Sequence, residues 1–156
     1  MLTIRKFRAS DAQAVSDLIR VTMKRSNAQD YPPERLQPLM DYFSPTKVEQ
    51  LNLDRCCLVA EQEHTIVGTA AIEGVNICTF FVHPDHQAKG IGSRLLAAIE
   101  TAASSLGLNC LIVEASLTGV RFYERKGYSR TGRTIAGIAG SQIEIEKRWD
   151  NAEGRC

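Results

Sequence analysis

A short polar segment with two glycines, residues 87–92, separates a predicted strand from a strongly amphipathic predicted helix. The apolar run 76–82 precedes it, and residues 91–106 follow with apolar side chains at helical spacing. Gly90 and Gly92 let the backbone bend with its amides facing inward, and the helix start adds unsatisfied N–H groups and about half a positive charge. This arrangement predicts a loop that binds a pyrophosphate.

Two other phosphate-binding loops fit the segment poorly. A P-loop requires a lysine directly after its last glycine, and neither Gly90 nor Gly92 is followed by one. A dinucleotide-binding loop has a third glycine where Leu95 stands, and it follows the first strand of its fold. Here the loop comes after several predicted strands, so a different class of fold is indicated.

Hydrophobic periodicity along the chain predicts an α/β protein with the element order βα(α)βββαβαββ. Ser10 and Gln13 have the spacing of a capping box at the start of the first helix. The nearly continuous apolar run 109–115 predicts a buried central strand. The other predicted strands are 2–7, 56–61, 65–72, 76–82, 128–133 and 142–147, and helices are predicted to begin near 10, 34, 44, 91 and 118.

The composition is that of an ordinary globular domain, with 156 residues, 44% hydrophobic and 24% charged. We expect one domain over residues 1–150 and a polar tail over residues 151–156. A net charge of +1 disfavours nucleic acid as a partner, and no apolar run is long enough to predict a membrane helix. The five cysteines lack the spacing of a metal site, so we expect no metal and a reducing, cytoplasmic location.

Two blocks of residues resemble the GCN5-related N-acetyltransferases (GNAT). Gln87, Gly90 and Gly92 match that family's motif A, Q/R-x-x-G-x-G/A, within segment 82–96. Residues 111–116, Leu-Ile-Val-Glu-Ala-Ser, and 122–128, Phe-Tyr-Glu-Arg-Lys-Gly-Tyr, are similar to the family's fifth strand and the helix after it. The resemblance implies an α/β (α+β) GNAT fold. Its sheet is mixed and mostly antiparallel, with about six or seven strands, about four flanking helices, and a splay between the fourth and fifth strands.

The resemblance also implies acetyl-CoA as the co-substrate. The pyrophosphate is expected on the backbone amides of Gln87, Ala88, Lys89, Gly90, Ile91 and Gly92, with Ser93 able to join them. The pantetheine arm is expected to pair like an added strand with Phe80, Phe81 and Val82. Ser116, which stands where relatives often have asparagine, is a further contact. The candidates for binding the 3′-phosphate are Lys89, Arg94 and Arg125.

Tyr123 matches the tyrosine that protonates the departing thiolate in many relatives. A phenol with a pKa near 10 is an available donor to a thiolate whose thiol has a pKa near 8.5. For the base that receives the amine's proton, we rank Glu73 first, then Glu114, then His83, with solvent water as the alternative. The segment 26–45, which carries Tyr31, Tyr42 and Phe43, is the predicted acceptor-recognition region.

The resemblance therefore predicts an acyltransferase that moves an acetyl group from acetyl-CoA to an amine of a small molecule, peptide or protein, by direct attack in a ternary complex. The alternatives are a catalytically weak CoA-binding sensor or partner-binding module of the same fold, and acetylation of a hydroxyl. A homodimer is also consistent with the apolar run 135–145.

Overall fold

The structure, a computed structural model, describes residues 1–149. The last residue of the predicted domain 1–150 and the whole predicted tail 151–156 lie outside the described residues. The strands are β1 (Leu2–Lys6), β2 (Cys56–Gln62), β3 (Thr65–Glu73), β4 (Asn76–Val82), β5 (Cys110–Ser116), β6 (Ser129–Ala136) and β7 (Ser141–Arg148). The α-helices are α1 (Ala12–Arg25), α2 (Pro33–Tyr42), α3 (Pro45–Leu51), α4 (Ile91–Ser105) and α5 (Val120–Glu124).

All seven strands belong to one sheet, in the order β1-β2-β3-β4-β5-β7-β6. Neighbouring strands are antiparallel except β4 and β5, which run parallel. These two strands pair only at Asn76–Ile112 and Ile77–Val113, so they separate over the rest of their length. The expected mixed sheet with a splay between its fourth and fifth strands is confirmed, with five α-helices in residues 1–149 where about four were expected.

A bulge in β4 accompanies the separation. Thr69 of β3 pairs with Phe81, but Ala71 pairs with Cys78, so β4 has one residue more than β3 between these pairs. Within this stretch Thr79 has a φ of 47°, in the left-handed region that a residue with a branched side chain rarely adopts. After the bulge, Phe80 packs in the core beside α4, while Phe81 packs in the core beside α1.

The sheet has an apolar core on each face. Leu95 and Ile99 of α4 are fully buried against one face, together with Leu111 of β5. On the opposite face, Val15 and Ile19 of α1 belong to a second core cluster. Burial of these side chains fixes both helices on the sheet, because each contributes roughly 1.5–3 kcal/mol when removed from water. The segment between α1 and α2 is thereby held over the splay.

The start of α1 differs from the predicted capping box at Ser10 and Gln13. A 3₁₀ turn, Ala9–Asp11, precedes the helix, which begins at Ala12. The Asp11 carboxylate accepts hydrogen bonds from the Arg8 backbone N–H at 2.7 Å and from the Arg5 guanidinium at 2.8 and 3.0 Å. The Arg5 guanidinium beside it holds the pKa of Asp11 below its ordinary value. The side chain that bonds to the backbone at the start of α1 is therefore Asp11, held in place by Arg5, and not Ser10.

We predict that Asp11→Asn lowers the free energy of unfolding by about 1–2 kcal/mol at pH 7, because the half-buried Arg5 guanidinium loses one of its two carboxylate partners and keeps only Glu61. Since the pKa of Asp11 is lowered in the folded state, its contribution is complete above the ordinary value of 3.8 and is lost as the pH falls through the folded value. Urea unfolding from pH 7 to pH 2 measures both effects. Asp17→Asn, on the exposed face of α1, is the matched control and should change stability by less than about 0.5 kcal/mol. Equal effects of the two variants would contradict the prediction.

Candidate active site

A large cleft follows the separation of β4 and β5 and has a volume of about 1320 Å³. Its floor is the facing edges of the two strands. One wall comes from α1, α2 and the segment between them, and the other comes from α5, the end of β6 and the β6–β7 loop at residues 137–140. The cleft therefore lies where the sheet has lost a strand-to-strand ladder, which leaves main-chain groups available to a ligand.

The predicted loop forms one end of the cleft, and its backbone is left-handed at two positions. Ala88 has a φ of 58° and Gly90 a φ of 80°, and Gly90 is the residue from which α4 begins. The Gln87 side chain anchors the loop, because its Nε2 donates to the Val82 carbonyl at 3.0 Å and to the Ser26 hydroxyl at 3.2 Å. The positive end of α4 is thereby held at the mouth of the splay.

Most of the residues predicted to bind the cofactor are brought together here. Those that line the cleft are Phe80, Phe81, Val82, Gln87, Ala88, Gly90, Gly92, Ser93 and Ser116. Lys89, Ile91 and Arg94 do not line it. The Lys89 ammonium donates to the Asp85 carbonyl at 2.7 Å, the Ile91 side chain is buried in the core, and the Arg94 guanidinium donates to the Leu2 carbonyl at 3.1 Å.

The cations that line this part of the cleft are Arg125 and Lys126. The sequence named Arg125 as a candidate for binding the 3′-phosphate, but it did not point to Lys126. Both directly follow α5, and α5 lies against the loop, since a Cβ built on Gly92 would be 3.4 Å from the Phe122 ring. The sequence signal that could have found Lys126 is its place beside Arg125 in the motif block. These two side chains bring positive charge to the end of the cleft where the loop and α4 already favour an anion.

Tyr123 lies in α5 and lines the cleft from within an aromatic cluster. Its ring centroid is 5.5 Å from that of Phe80, 5.1 Å from Phe122 and 5.6 Å from Tyr128. The residue is buried, and this burial raises the pKa of its phenol far above the ordinary value, so the hydroxyl is protonated at neutral pH. The Ser116 hydroxyl accepts a hydrogen bond from the Gly119 N–H at 3.0 Å, which shapes the turn that positions α5.

Of the three residues considered as the base, the two glutamates line the cleft and the histidine does not. Glu73, at the end of β3, and Glu114, on β5, both line the cleft. The Glu73 carboxylate accepts from Arg55 at 2.9 Å, and Arg55, which sequence reasoning did not single out, also lines the cleft. His83 lines a separate, smaller cavity, and its Nδ1 accepts from the Asp85 N–H at 3.2 Å.

The predicted acceptor region supplies one wall, as Tyr31, Tyr42 and Phe43 all line the cleft. Tyr31 also joins the two sides. Its hydroxyl accepts from the Leu117 N–H at 2.9 Å and donates to the Ser141 carbonyl at 2.9 Å. Nothing local in the sequence marks these bonds, because they link residues 86 and 110 positions apart.

The described part of the chain adds two observations. Residues 1–149 contain no group of three or more His, Cys, Asp or Glu side chains placed to hold a metal ion. Across the same residues, every helix is too short or too polar to span a membrane.

Comparison with known proteins agrees with this geometry. The family model for the acetyltransferase (GNAT) domain matches residues 27–140. The glucosamine 6-phosphate N-acetyltransferase of Schizosaccharomyces pombe is 35% identical over 93 residues, which cover 53% of this chain and 84% of that protein. A GCN5-related N-acetyltransferase structure from Rhodopseudomonas palustris superposes with a TM-score of 0.87 at 22% identity, covering 94% of this chain and 95% of that one.

The paia N-acetyltransferase of Thermoplasma acidophilum, whose structure contains coenzyme A, has a TM-score of 0.81 at 22% identity, with 96% of this chain and 99% of that chain covered. The structural likenesses show the fold alone, whereas the family model covers more than half of the chain. The chain therefore belongs to the GNAT acetyltransferase family.

We predict that Tyr31→Phe destabilises the protein by about 1–3 kcal/mol, because it leaves the Leu117 N–H and the Ser141 carbonyl without their partner. Tyr42→Phe is the matched control. Its hydroxyl makes no hydrogen bond within residues 1–149, and its ring is 40% exposed. Chemical unfolding of the two variants measures the difference. A Tyr31→Phe protein as stable as Tyr42→Phe would show that the Tyr31 hydroxyl does not join the two walls.

Proposed function

We propose that this protein is an acetyl-CoA-dependent N-acetyltransferase that transfers the acetyl group directly to an amine in a ternary complex. The observation that carries the proposal is a single arrangement. A left-handed, glycine-containing loop at the start of α4 opens onto the gap between β4 and β5, beside the protonated phenol of Tyr123.

The residues at the loop end fit the diphosphate of coenzyme A. Ala88 and Gly90 adopt the backbone conformation that turns successive amides toward one point, and no atom lies within 4 Å of a Cβ built on Gly90. Arg125 and Lys126 line the same region and take the place of Lys89 and Arg94 as the favoured partners of the 3′-phosphate. When bound, acetyl-CoA supplies an acetyl group activated as a thioester.

The exposed edge of β4 fits the pantetheine arm. Beyond Ile77 this strand has β3 on one side and no strand on the other, so the backbone groups of Phe80 and Phe81 that face the gap are free to pair with amides of the arm. The Val82 carbonyl is already used by Gln87, which limits the pairing to the preceding residues.

Direct transfer is supported by the lining of the cleft, in which no histidine of residues 1–149 accompanies a cysteine or serine. None of the three histidines, all within residues 1–149, lines it. The thiol of Cys78 does line it, but burial raises the pKa of this thiol and so disfavours the nucleophilic thiolate. The acceptor nitrogen therefore attacks without a prior acyl-enzyme.

Glu73 and Tyr123 carry out the proton transfers that the reaction requires. An ammonium with a pKa near 10.4 must lose its proton first, at a cost of about 4.6 kcal/mol at pH 7. We assign this proton to Glu73, through water, because Arg55 holds its carboxylate at the cleft. Tyr123, whose buried phenol is protonated at neutral pH, donates its proton to the departing thiolate sulfur, and its phenolate then takes up the proton that the attacking amine nitrogen loses as the amide forms.

The function is tested by calorimetric binding of coenzyme A and by thiol release from acetyl-CoA with a panel of primary amines. Micromolar binding and amine-dependent release are expected. Binding without release on any amine or alcohol would contradict the proposal and favour a CoA-binding module. Release with alcohols alone would identify a hydroxyl acceptor. The predicted homodimer and cytoplasmic location stay predictions.

We predict that Tyr123→Phe lowers kcat by about 100-fold, the lower range for loss of a general acid, with little change in coenzyme A affinity. Tyr128→Phe is the matched control, since Tyr128 is also a buried tyrosine but its hydroxyl donates to Glu100, outside the cleft. An unchanged kcat in Tyr123→Phe would remove this residue from the mechanism.

We predict that Glu73→Gln lowers kcat/KM and removes the acidic limb of its pH profile, because the carboxylate that receives the ammonium proton is lost. Glu63→Gln, in the exposed β2–β3 turn, should keep the wild-type profile. If the acidic limb survives in Glu73→Gln and disappears in Glu114→Gln, Glu114 is the base. If it survives in both, solvent water takes the proton.

A further inference from the structure

Arg55 lines the cleft near the point where β4 and β5 are still joined. It directly precedes β2, and because Cys56 pairs with Ile72, Arg55 lies beside Glu73, which pairs in turn with Asn76 of β4. Arg55, Glu73 and Asn76 therefore form one row across the sheet, and all three line the cleft. With about 4.8 Å between neighbouring strands, the backbone of Arg55 lies about 10 Å from the strand that borders the gap.

The Arg55 guanidinium is held in place but uses little of its hydrogen-bonding capacity. Its side chain is 12% exposed, and Nη2 donates to the Glu73 carboxylate at 2.9 Å. Nε is buried without a partner, and Nη1 makes no hydrogen bond within residues 1–149. Since a guanidinium carries five N–H groups, most of those of Arg55 have no partner in the described part of the chain. A buried donor without a partner is costly, so an acceptor group from a ligand would be favourable here.

The bond to Glu73 leaves Arg55 able to bind a second acidic group. The Glu73 side chain is 63% exposed, and solvent weakens an ion pair whose partner is this exposed. A carboxylate or a phosphate presents two oxygens, which match the planar fork of N–H groups in a guanidinium. Arg55 can therefore bind an acidic group of a ligand while Nη2 keeps its bond to Glu73.

Charges of both signs surround this part of the cleft. Burial raises the pKa of the Cys78 thiol, and the charges of Arg55, Glu73 and Glu114 also act on this thiol, so all three groups lie near it. Cys78 and the three charged residues line the cleft. A ligand with acidic groups alone would meet two carboxylates, and a ligand with an ammonium group alone would leave most of the guanidinium unbonded. A ligand that carries both charges matches the site.

We infer that the acceptor is a zwitterionic amine, which carries a carboxylate or a phosphate near its primary amino group, and that Arg55 binds this acidic group. The inference rests on the proposed function and names its substrate class. The ammonium group faces the carboxylates, of which Glu73 takes its proton through water, and the acidic group pairs with the adjacent guanidinium. Because Arg55 and Glu73 are in contact, only a few bonds separate the amino nitrogen and the acidic group of the acceptor.

Pairs of amines that differ by one acidic group test the inference by thiol release from acetyl-CoA. Phenylalanine and phenethylamine differ by a carboxylate, and phosphoethanolamine and ethanolamine differ by a phosphate. We expect kcat/KM to be about tenfold or more higher for the acidic member of at least one pair, the discrimination of one charge-assisted contact. The pair with the larger ratio identifies the acidic group as carboxylate or phosphate. Equal or lower values for the acidic members of both pairs would overturn the inference.

Variants of Arg55 connect this ratio to the guanidinium. Arg55→Gln should lower the ratio by about tenfold, and Arg55→Lys, which keeps the charge but loses the fork, should restore part of it. The ratio within a pair is measured because a change in Glu73 affects both members of the pair alike, and the intrinsic reactivity of each amine is the same with every variant.

The matched control is Arg148→Gln. Arg148 also lies beside a glutamate, with its Nε 3.6 Å from Glu146, but it does not line the cleft, so the wild-type ratio should be retained. Thermal unfolding establishes that each variant is folded, and if Arg55→Gln does not fold, Arg55→Lys should still lower the ratio. A ratio that stays at the wild-type value in the folded Arg55 variants would overturn the role of Arg55.

The failure of this inference differs from the failure of the proposed function. If coenzyme A binds but no amine of the panel releases thiol, the proposed function falls and the inference falls with it. If thiol is released fastest with amines that carry no acidic group, the acetyltransferase function stands and the inference alone is overturned.

Discussion

The early end of the β4–β5 ladder is the constraint on which the rest of the site depends. Only two residue pairs join these strands, and the bulge at Thr79 turns β4 away from its neighbour. The aromatic rings of Phe80, Phe122 and Tyr123 pack together beneath the gap, so the separation is supported by burial. The cleft between β4 and β5 and the position of the Tyr123 phenol therefore both follow from the early end of this ladder.

The segment between α1 and α2 connects the two sides of this cleft. Ser26 accepts from Gln87 of the loop at residues 87–92, and Asp30 accepts from Thr118 at 2.7 Å on the other side of the gap. Tyr31 then bonds to the β5–α5 loop and to β7. Because one short segment bonds to the loop at residues 87–92, to the β5–α5 loop and to β7, it joins the loop end of the cleft to the opposite wall.

The fold tolerates wide variation in sequence. Structures at 22% identity share the fold of this chain, which shows how little of the sequence the architecture requires. The cleft is lined instead by side chains of α2, α3 and the strands, and its charge depends on which of these residues pair. Here Arg55 is paired with Glu73, and Glu114 is left without a partner in residues 1–149.

The sequence by itself determined the glycine-containing loop at residues 87–92, the order of elements and the short helix that carries Tyr123. These features are local: Gly90 has a φ of 80°, and such a backbone requirement selects the residue type directly. It did not determine the start of α1, where Asp11 pairs with Arg5 in place of the expected Ser10 cap, nor the direction of the Arg94 and His83 side chains. Only the tertiary structure decided the Arg55–Glu73 pair and the Tyr31 contacts, because these bonds join residues far apart in the chain that only packing of the sheet and helices brings within hydrogen-bond distance.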